Sequence, residues 1–188
     1  MPTLEEIRHS TAHILAAAVT KLWPDAKLGI GPVIEDGFYY DFDLKHNFTP
    51  EDLEKIEKLM QETIKKNLKF EKVLVNTKEA KKQFKDDPYK LELIEEIEKE
   101  KKQLSFYKTG DFIDLCKGPH VENTKSLGNF KLLKFSGSYW KGDSKNKPMQ
   151  RIYGTAFAAK KELEDYLHVL EESKKRVFAI IGFLKIDS

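Results

Sequence analysis

A change of hydrophobic period most constrains this chain: helical at both ends and two-residue in short segments between them. Thr3 and Glu6 form a capping-box pattern, and Ile7, Thr11, Ile14, Leu15, Ala18 and Leu22 then recur on one helical face. Pro24-Asp25 ends that helix. Residues 27–30 predict a short strand, Glu35-Asp36-Gly37 a hairpin turn, and 38–43 an alternating strand. Thr49-Pro50 starts a second helix with Leu53, Ile56, Met60 and Ile64 on one face. Residues 70–75 predict a strand, Thr77 the cap of a short helix ending at Phe84, and Pro88 the start of another. Segments 104–107, 111–115, 130–135 and 150–157 predict strands, with turns at Gly110 and Gly118, and 158–176 a last helix. No repeat or βαβ alternation is present. The expected class is α+β: a mostly antiparallel sheet packed with helices around a cleft, the first helix carrying a His-x-x-x-His pair.

The 188 residues suit one domain, assigned to 1–172, with a linker-like tail at 173–188. Charged residues make up 34% of the chain, yet the net charge is only +2, so bulk charge gives no argument for nucleic acid. The charge-rich stretch 92–102 reads as a solvated helix face. The single cysteine, Cys116, excludes an internal disulfide framework and fits a reducing compartment. The first residues carry no secretory signal, and the apolar run 177–184 is too short to span a bilayer. A soluble cytoplasmic protein is expected.

The chemistry lies in two pairs. His9 and His13 stack one turn apart on the first helix, with Ala16 and Thr20 on the same face and the bulky stripe roughly opposite. Cys116 and His120 flank Lys117-Gly118-Pro119, whose turn lets His120 face back. Each feature has a plainer structural reading: satisfied histidines and a small buried thiol. Together the pairs could supply four ligands to a tetrahedral Zn²⁺, or a base and hydrogen-bond partners around a water. Asp114 alternates with Cys116 and shares its strand face. Gly29-Ile30-Gly31-Pro32 is a tight loop that could offer backbone N–H groups to a ligand, or simply a turn. Phe38, Tyr40 and Phe42 share a strand face, where core packing is the default and a tyrosine hydroxyl at a cleft edge would be a useful donor. Lys90 alone reads as solvated. The run 136–143, with Tyr139 and Trp140, could stack an RNA base or form a structural loop.

Four segments then carry a resemblance: Arg8-His9-Ser10-Thr11-Ala12-His13, the run 31–41, Cys116-Lys117-Gly118-Pro119-His120, and the run 150–156. In order, they closely resemble the editing region of bacterial-type threonyl-tRNA synthetases, from about residue 6 to about residue 175. In the related alanyl-tRNA synthetase editing domains the second motif typically has Gly-Gly-Thr between Cys and His, so Lys117-Gly118-Pro119 is threonyl-like.

The resemblance implies an aminoacyl-tRNA deacylase that hydrolyses the ester joining serine to the 3′ end of threonine tRNA. By position it implies His9, His13, Lys90, Cys116 and His120 as catalytic residues, and Tyr40, Asp114, Gly31 and Pro32 as substrate-binding residues. No cofactor is expected. The alternative is Zn²⁺ on His9, His13, Cys116 and His120, as in an alanyl-type deacylase. The synthetase's flanking domains are not in this sequence, so the expected activity is editing in trans, or as a fragment that cannot aminoacylate, with weakened tRNA affinity. The apolar tail suggests self-association, and no membrane contact is expected. A non-catalytic tRNA-binding module and a fragment that only dimerises through its tail are the remaining readings.

Overall fold

The computed structural model describes the backbone of residues 1–184 and the side chains of residues 1–176. Helix α1, Leu4–Leu22, starts as its sequence requires: the Glu6 N–H donates to the Thr3 hydroxyl at 3.1 Å, and the Glu6 carboxylate accepts the Thr3 N–H at 2.7 Å. Such a cap contributes about 0.5–2 kcal/mol. Then come β1 (Lys27–Leu28), β2 (Val33–Ile34) and β3 (Gly37–Asp43), with β2 and β3 joined across Glu35-Asp36. Helix α2, Pro50–Lys65, is capped by Thr49 and buries Ile56, Met60 and Ile64. Strand β4 (Glu71–Val75), helices α3 (Thr77–Gln83) and α4 (Pro88–Lys99), and strands β5 (Leu104–Thr109) and β6 (Phe112–Leu115) follow. Strands β7 (Phe130–Tyr139) and β8 (Pro148–Ala156) precede α5 (Lys160–Leu184).

Every ladder is antiparallel. Strands β1, β3, β8 and β7 lie in that order with β2 on β3, and β4, β5 and β6 form a second sheet. The main core lies between the larger sheet and helices α1 and α2, and includes Phe38, Phe42, Ile152, Leu132, Ile14, Leu15, Val19, Ile56 and Met60. A smaller core of Ala80, Phe84, Ile94, Leu104 and Phe106 sits among α3, α4 and the three-stranded sheet. The expected α+β class is the one observed.

Several local expectations change. The short helix is capped by Asn76, not Thr77, because the Asn76 side chain accepts the Glu79 N–H at 2.9 Å. Strand β7 runs on through Tyr139, so the first half of the supposed loop at 136–143 is strand, followed by a 3₁₀ turn at Trp140–Gly142. Trp140 is buried against Tyr89, and its indole N–H donates to Glu92 at 2.8 Å, so it offers no free face for a base. Glu92 is therefore a docking partner rather than part of a wholly solvated face. Helix α1 is buried on more than one side: Ser10, Ala12, His13 and Ala16 are as enclosed as Ile14 and Leu15.

Helix α5 crosses position 172 without interruption. The apolar side chains of 177–184, on which the expected self-association rests, lie outside the described residues. Among the described residues no helix is long and apolar enough to cross a membrane.

Candidate functional site

A cavity of about 80 Å³ lies where the two sheets meet α1 and α4, lined by His9, His13, Ile30, Gly31, Tyr40, Lys90, Leu93, Asp114, Leu115 and Cys116. That is small beside the roughly 300–1,000 Å³ of ligand pockets in general. A cleft of about 600 Å³ is lined by Thr20, Lys21, Thr63, Lys66 and Phe112, among others, but gathers no comparable set of reactive groups. Chemistry, not size, singles out the smaller one.

Lys90 reaches the cavity from the first turn of α4. Asp87 caps that helix: its Oδ1 accepts the N–H groups of Tyr89 and Lys90, and its Oδ2 accepts the Leu28 N–H at 2.8 Å, tying α4 to β1. The Lys90 side chain is 2% exposed. Its ammonium meets Asp114 Oδ1 at 2.6 Å, the Gly29 carbonyl at 3.0 Å and the Tyr40 hydroxyl oxygen at 3.2 Å. Three acceptors use its three donors. The plain reading of Lys90 as a solvated lysine is thus replaced by a saturated buried cation.

Asp114 also accepts the Tyr40 hydroxyl proton at 2.6 Å and its neighbour Leu115's N–H at 2.8 Å. Burial, and then the charge of Asp114, hold the Tyr40 phenol well above its ordinary range, so Tyr40 remains a donor. Its ring packs in the core while its hydroxyl reaches the cavity.

Gly31 passes so close to Tyr40 that a Cβ there would lie 2.3 Å from the ring, which explains a glycine at that position. The loop gives the site a carbonyl, Gly29 O. Pro32 lies outside the cavity lining, and its carbonyl accepts the Tyr39 N–H.

On the opposite wall, His9 Nδ1–H donates to the Pro119 carbonyl at 3.1 Å. Cys116 Sγ lies 3.3 Å from His9 Nε2 and 3.2 Å from His120 Nε2, and it accepts the Gly118 N–H at 3.3 Å. Gly118 has φ +76°, and a side chain there would strike the Tyr107 hydroxyl. Burial pushes the Cys116 thiol up to about 11, only partly offset by the Gly118 N–H, so it stays protonated. Burial also lowers His9, and takes His120 down to about 2 and His13 to about 3, with neighbouring histidines adding to the effect on the last two. All three rings are neutral near pH 7.

The four residues of the two pairs are not equivalent. His120 stacks on His9 (ring centroids 4.2 Å apart) and on Phe70 (5.0 Å), and stands behind Cys116 rather than in the cavity lining. His13 meets Phe112 and His120 edge-on, and its Nε2 is fully buried without a partner. The ligand atoms of His9, Cys116 and His120 lie within 4.8 Å of one another and could hold a metal ion; His13 is outside that group. Two nitrogens and one sulfur form a donor set that suits zinc with one position open. Of the four ligands named for the zinc alternative, three are grouped here.

Sequence reasoning missed two polar side chains. Ser10, fully buried, has its Oγ 3.0 Å from His120 Nδ1 and accepts the Val121 N–H at 3.0 Å. Arg8 donates to the carbonyls of Glu35 (2.6 Å) and Ala156 (3.3 Å), pinning α1 to the β2–β3 turn and the end of β8. A serine and an arginine beside a histidine give no periodic signal. Only their predicted burial on α1 could have revealed them.

Known proteins share this arrangement of sequence. Residues 104–153 match the family described as the threonyl and alanyl tRNA synthetase second additional domain. The chain is also similar to threonine–tRNA ligases. It is 56% identical over 178 residues to a threonine–tRNA ligase of Clostridium tetani, covering 94% of this chain and 28% of that protein. A threonine–tRNA ligase of Oceanobacillus iheyensis is 54% identical over 181 residues, and one of Staphylococcus aureus 51% over 179, each covering 95% of this chain and 28% of the relative. The chain thus spans little more than a quarter of the length of these relatives.

Proposed function

We propose that this domain hydrolyses the ester of serine wrongly attached to threonine tRNA. The observation that carries the reading is the small cavity, in which a neutral histidine faces an aspartate, a tyrosine hydroxyl and a buried lysine. Threonine exceeds serine by one methyl group, and binding alone separates such a pair only about 10–200-fold. A second site too small for the methyl supplies the rest.

In the proposed reaction a water oxygen attacks the ester carbonyl carbon, and the bond between that carbon and the ribose oxygen breaks to give free serine and a tRNA 3′ hydroxyl. His9 accepts the water proton at Nε2, directly or through the terminal ribose hydroxyl, and returns it to the departing ribose oxygen. The thiol contact at that nitrogen is weak enough for water to replace. Lys90 has no free donor, so it acts through its charge on the developing oxyanion and by holding Asp114 and Tyr40 in place. Asp114 accepts the serine amine. Cys116, backed by His120, and His13 shape the wall.

We propose that the reaction proceeds without a metal, because Lys117-Gly118-Pro119 between Cys116 and His120 is threonyl-like rather than alanyl-like. His9→Ala and Lys90→Ala should each slow hydrolysis of seryl-tRNA by about 100-fold or more. Wild-type rates in both variants would overturn the scheme. One tightly held zinc per chain, in protein purified without a tag, would favour the alanyl-type alternative.

A further inference from the structure

Ser10 has no part in the scheme above, yet it occupies a position that bears on the donor and acceptor roles of His120 and Cys116. The Pro119 carbonyl can only accept, so Nδ1 of His9 carries its proton and Nε2 its lone pair. The proton available to that lone pair is the Cys116 thiol, 3.3 Å away. The sulfur, with its S–H donated in a hydrogen bond to His9, accepts from Gly118 N–H and from His120 Nε2–H. His120 is then left with a bare Nδ1, which faces Ser10 Oγ at 3.0 Å. Ser10 already accepts the Val121 N–H, and its own proton has His120 Nδ1 as its acceptor. The opposite tautomer of His120 would turn two donors on Ser10 Oγ, take away the acceptor of the serine proton, and set two lone pairs against one thiol proton.

We propose that Ser10 is a positioning residue that fixes His120 in its Nε2–H tautomer, and so directs the Cys116 thiol proton toward His9. The hydrogen bonds then run in one direction, from Val121 N–H through Ser10, His120, Cys116 and His9 to the Pro119 carbonyl. His9 and His120 hold opposite tautomers although their rings are stacked 4.2 Å apart. The Pro119 carbonyl leaves Nε2 of His9 basic, and Ser10, from the far side of the cluster, sets which face of the Cys116 thiol that nitrogen meets. The importance of this for hydrolysis rests on the reading of His9 given above; the tautomers themselves do not.

Two-bond ¹H–¹⁵N correlation spectra of the ¹⁵N-histidine-labelled chain at pH 7 test the assignment directly. The expected result is a protonated Nε2 on His120 and a protonated Nδ1 on His9. In Ser10→Ala, His120 should lose its single tautomer, and seryl-ester hydrolysis should fall by about 10–100-fold, the usual effect of losing a group that orients a histidine. Ser10→Thr, which keeps the hydroxyl, should restore the His120 tautomer. An Nδ1–H His120 in the wild type, or an unchanged His120 tautomer in a folded Ser10→Ala, would overturn the proposal. If Ser10→Ala does not fold, the wild-type tautomers decide. A wild type with the expected tautomers and no esterase activity would leave the role of Ser10 standing and refute the proposed reaction.

Discussion

Replacing Lys90 with methionine separates the cost of burying a charge from the chemistry that charge performs. At 2.6 Å and an effective dielectric near 20, the attraction between Lys90 and Asp114 is about 6 kcal/mol. Desolvating two ions cancels most of that gain, so the intact pair contributes little net stability. Removing one partner is different, because it strands the other. With Lys90 gone, Asp114, 6% exposed, keeps only Tyr40 and the Leu115 N–H. The expected loss is about 3–5 kcal/mol, a large part of the about 5–15 kcal/mol typical of a domain. Asp114→Leu should cost a similar amount. The double variant, with neither charge, should be markedly more stable than the sum of the two losses implies, and it should remain inactive. Urea midpoints at constant m-value, with seryl-ester hydrolysis on the same samples, measure both effects. Single losses under about 1 kcal/mol, or additive ones, would show that the pair behaves as an exposed ion pair and refute the reasoning.

Other outcomes follow from the same geometry. His13 and His120 are held neutral, lowered to about 3 and about 2 from an ordinary 6.5, so the unfolded chain binds their protons first. Their contribution to stability is complete above about pH 6.5 and declines as the pH falls below it. Urea midpoints between pH 7.5 and 5 should drop, and by less in His13→Gln; a wild-type midpoint that rises on acidification would contradict this. Asp87→Ala removes the cap of α4 and its tie to Leu28, and should cost about 1–2 kcal/mol while also slowing hydrolysis by moving Lys90. Normal activity in a folded Asp87→Ala would show that Lys90 needs no such anchor. Trp140→Phe loses one buried hydrogen bond to Glu92, about 1 kcal/mol or slightly more, and should leave tRNA affinity unchanged because the indole is not exposed. Weakened tRNA binding in that variant would favour the base-stacking reading of this segment.

Much of the backbone was legible because its signals are local. The Thr3 and Thr49 caps, Pro50 and Pro88 in first turns, and the Glu35-Asp36-Gly37 turn each act within a few residues. Asn76 was misread because both it and Thr77 can cap, and only the backbone decides which one lies outside the helix. The extent of β7 was hidden because Ser136, Gly137 and Ser138 are poor strand formers, held there by pairing with β8. In the site, residue identity was readable but partnership was not. Lys90 lies 24 residues from Asp114 and 50 from Tyr40, and no local pattern marks a lysine for burial. Ser10 and His120 are 110 positions apart. The resemblance supplied the membership of the site, and the packing of α1 against the 116–121 turn supplied the distinction between His13, His120 and the groups that line the cavity.

The central claim, that the cavity selects and hydrolyses a seryl ester, is tested most directly by incubating the chain with threonine tRNA carrying serine or threonine, with and without a chelator. The account predicts release of serine at a rate the chelator does not change, with threonine left attached. Equal release of both amino acids, loss of release on chelation, or no release at high protein concentration would contradict it.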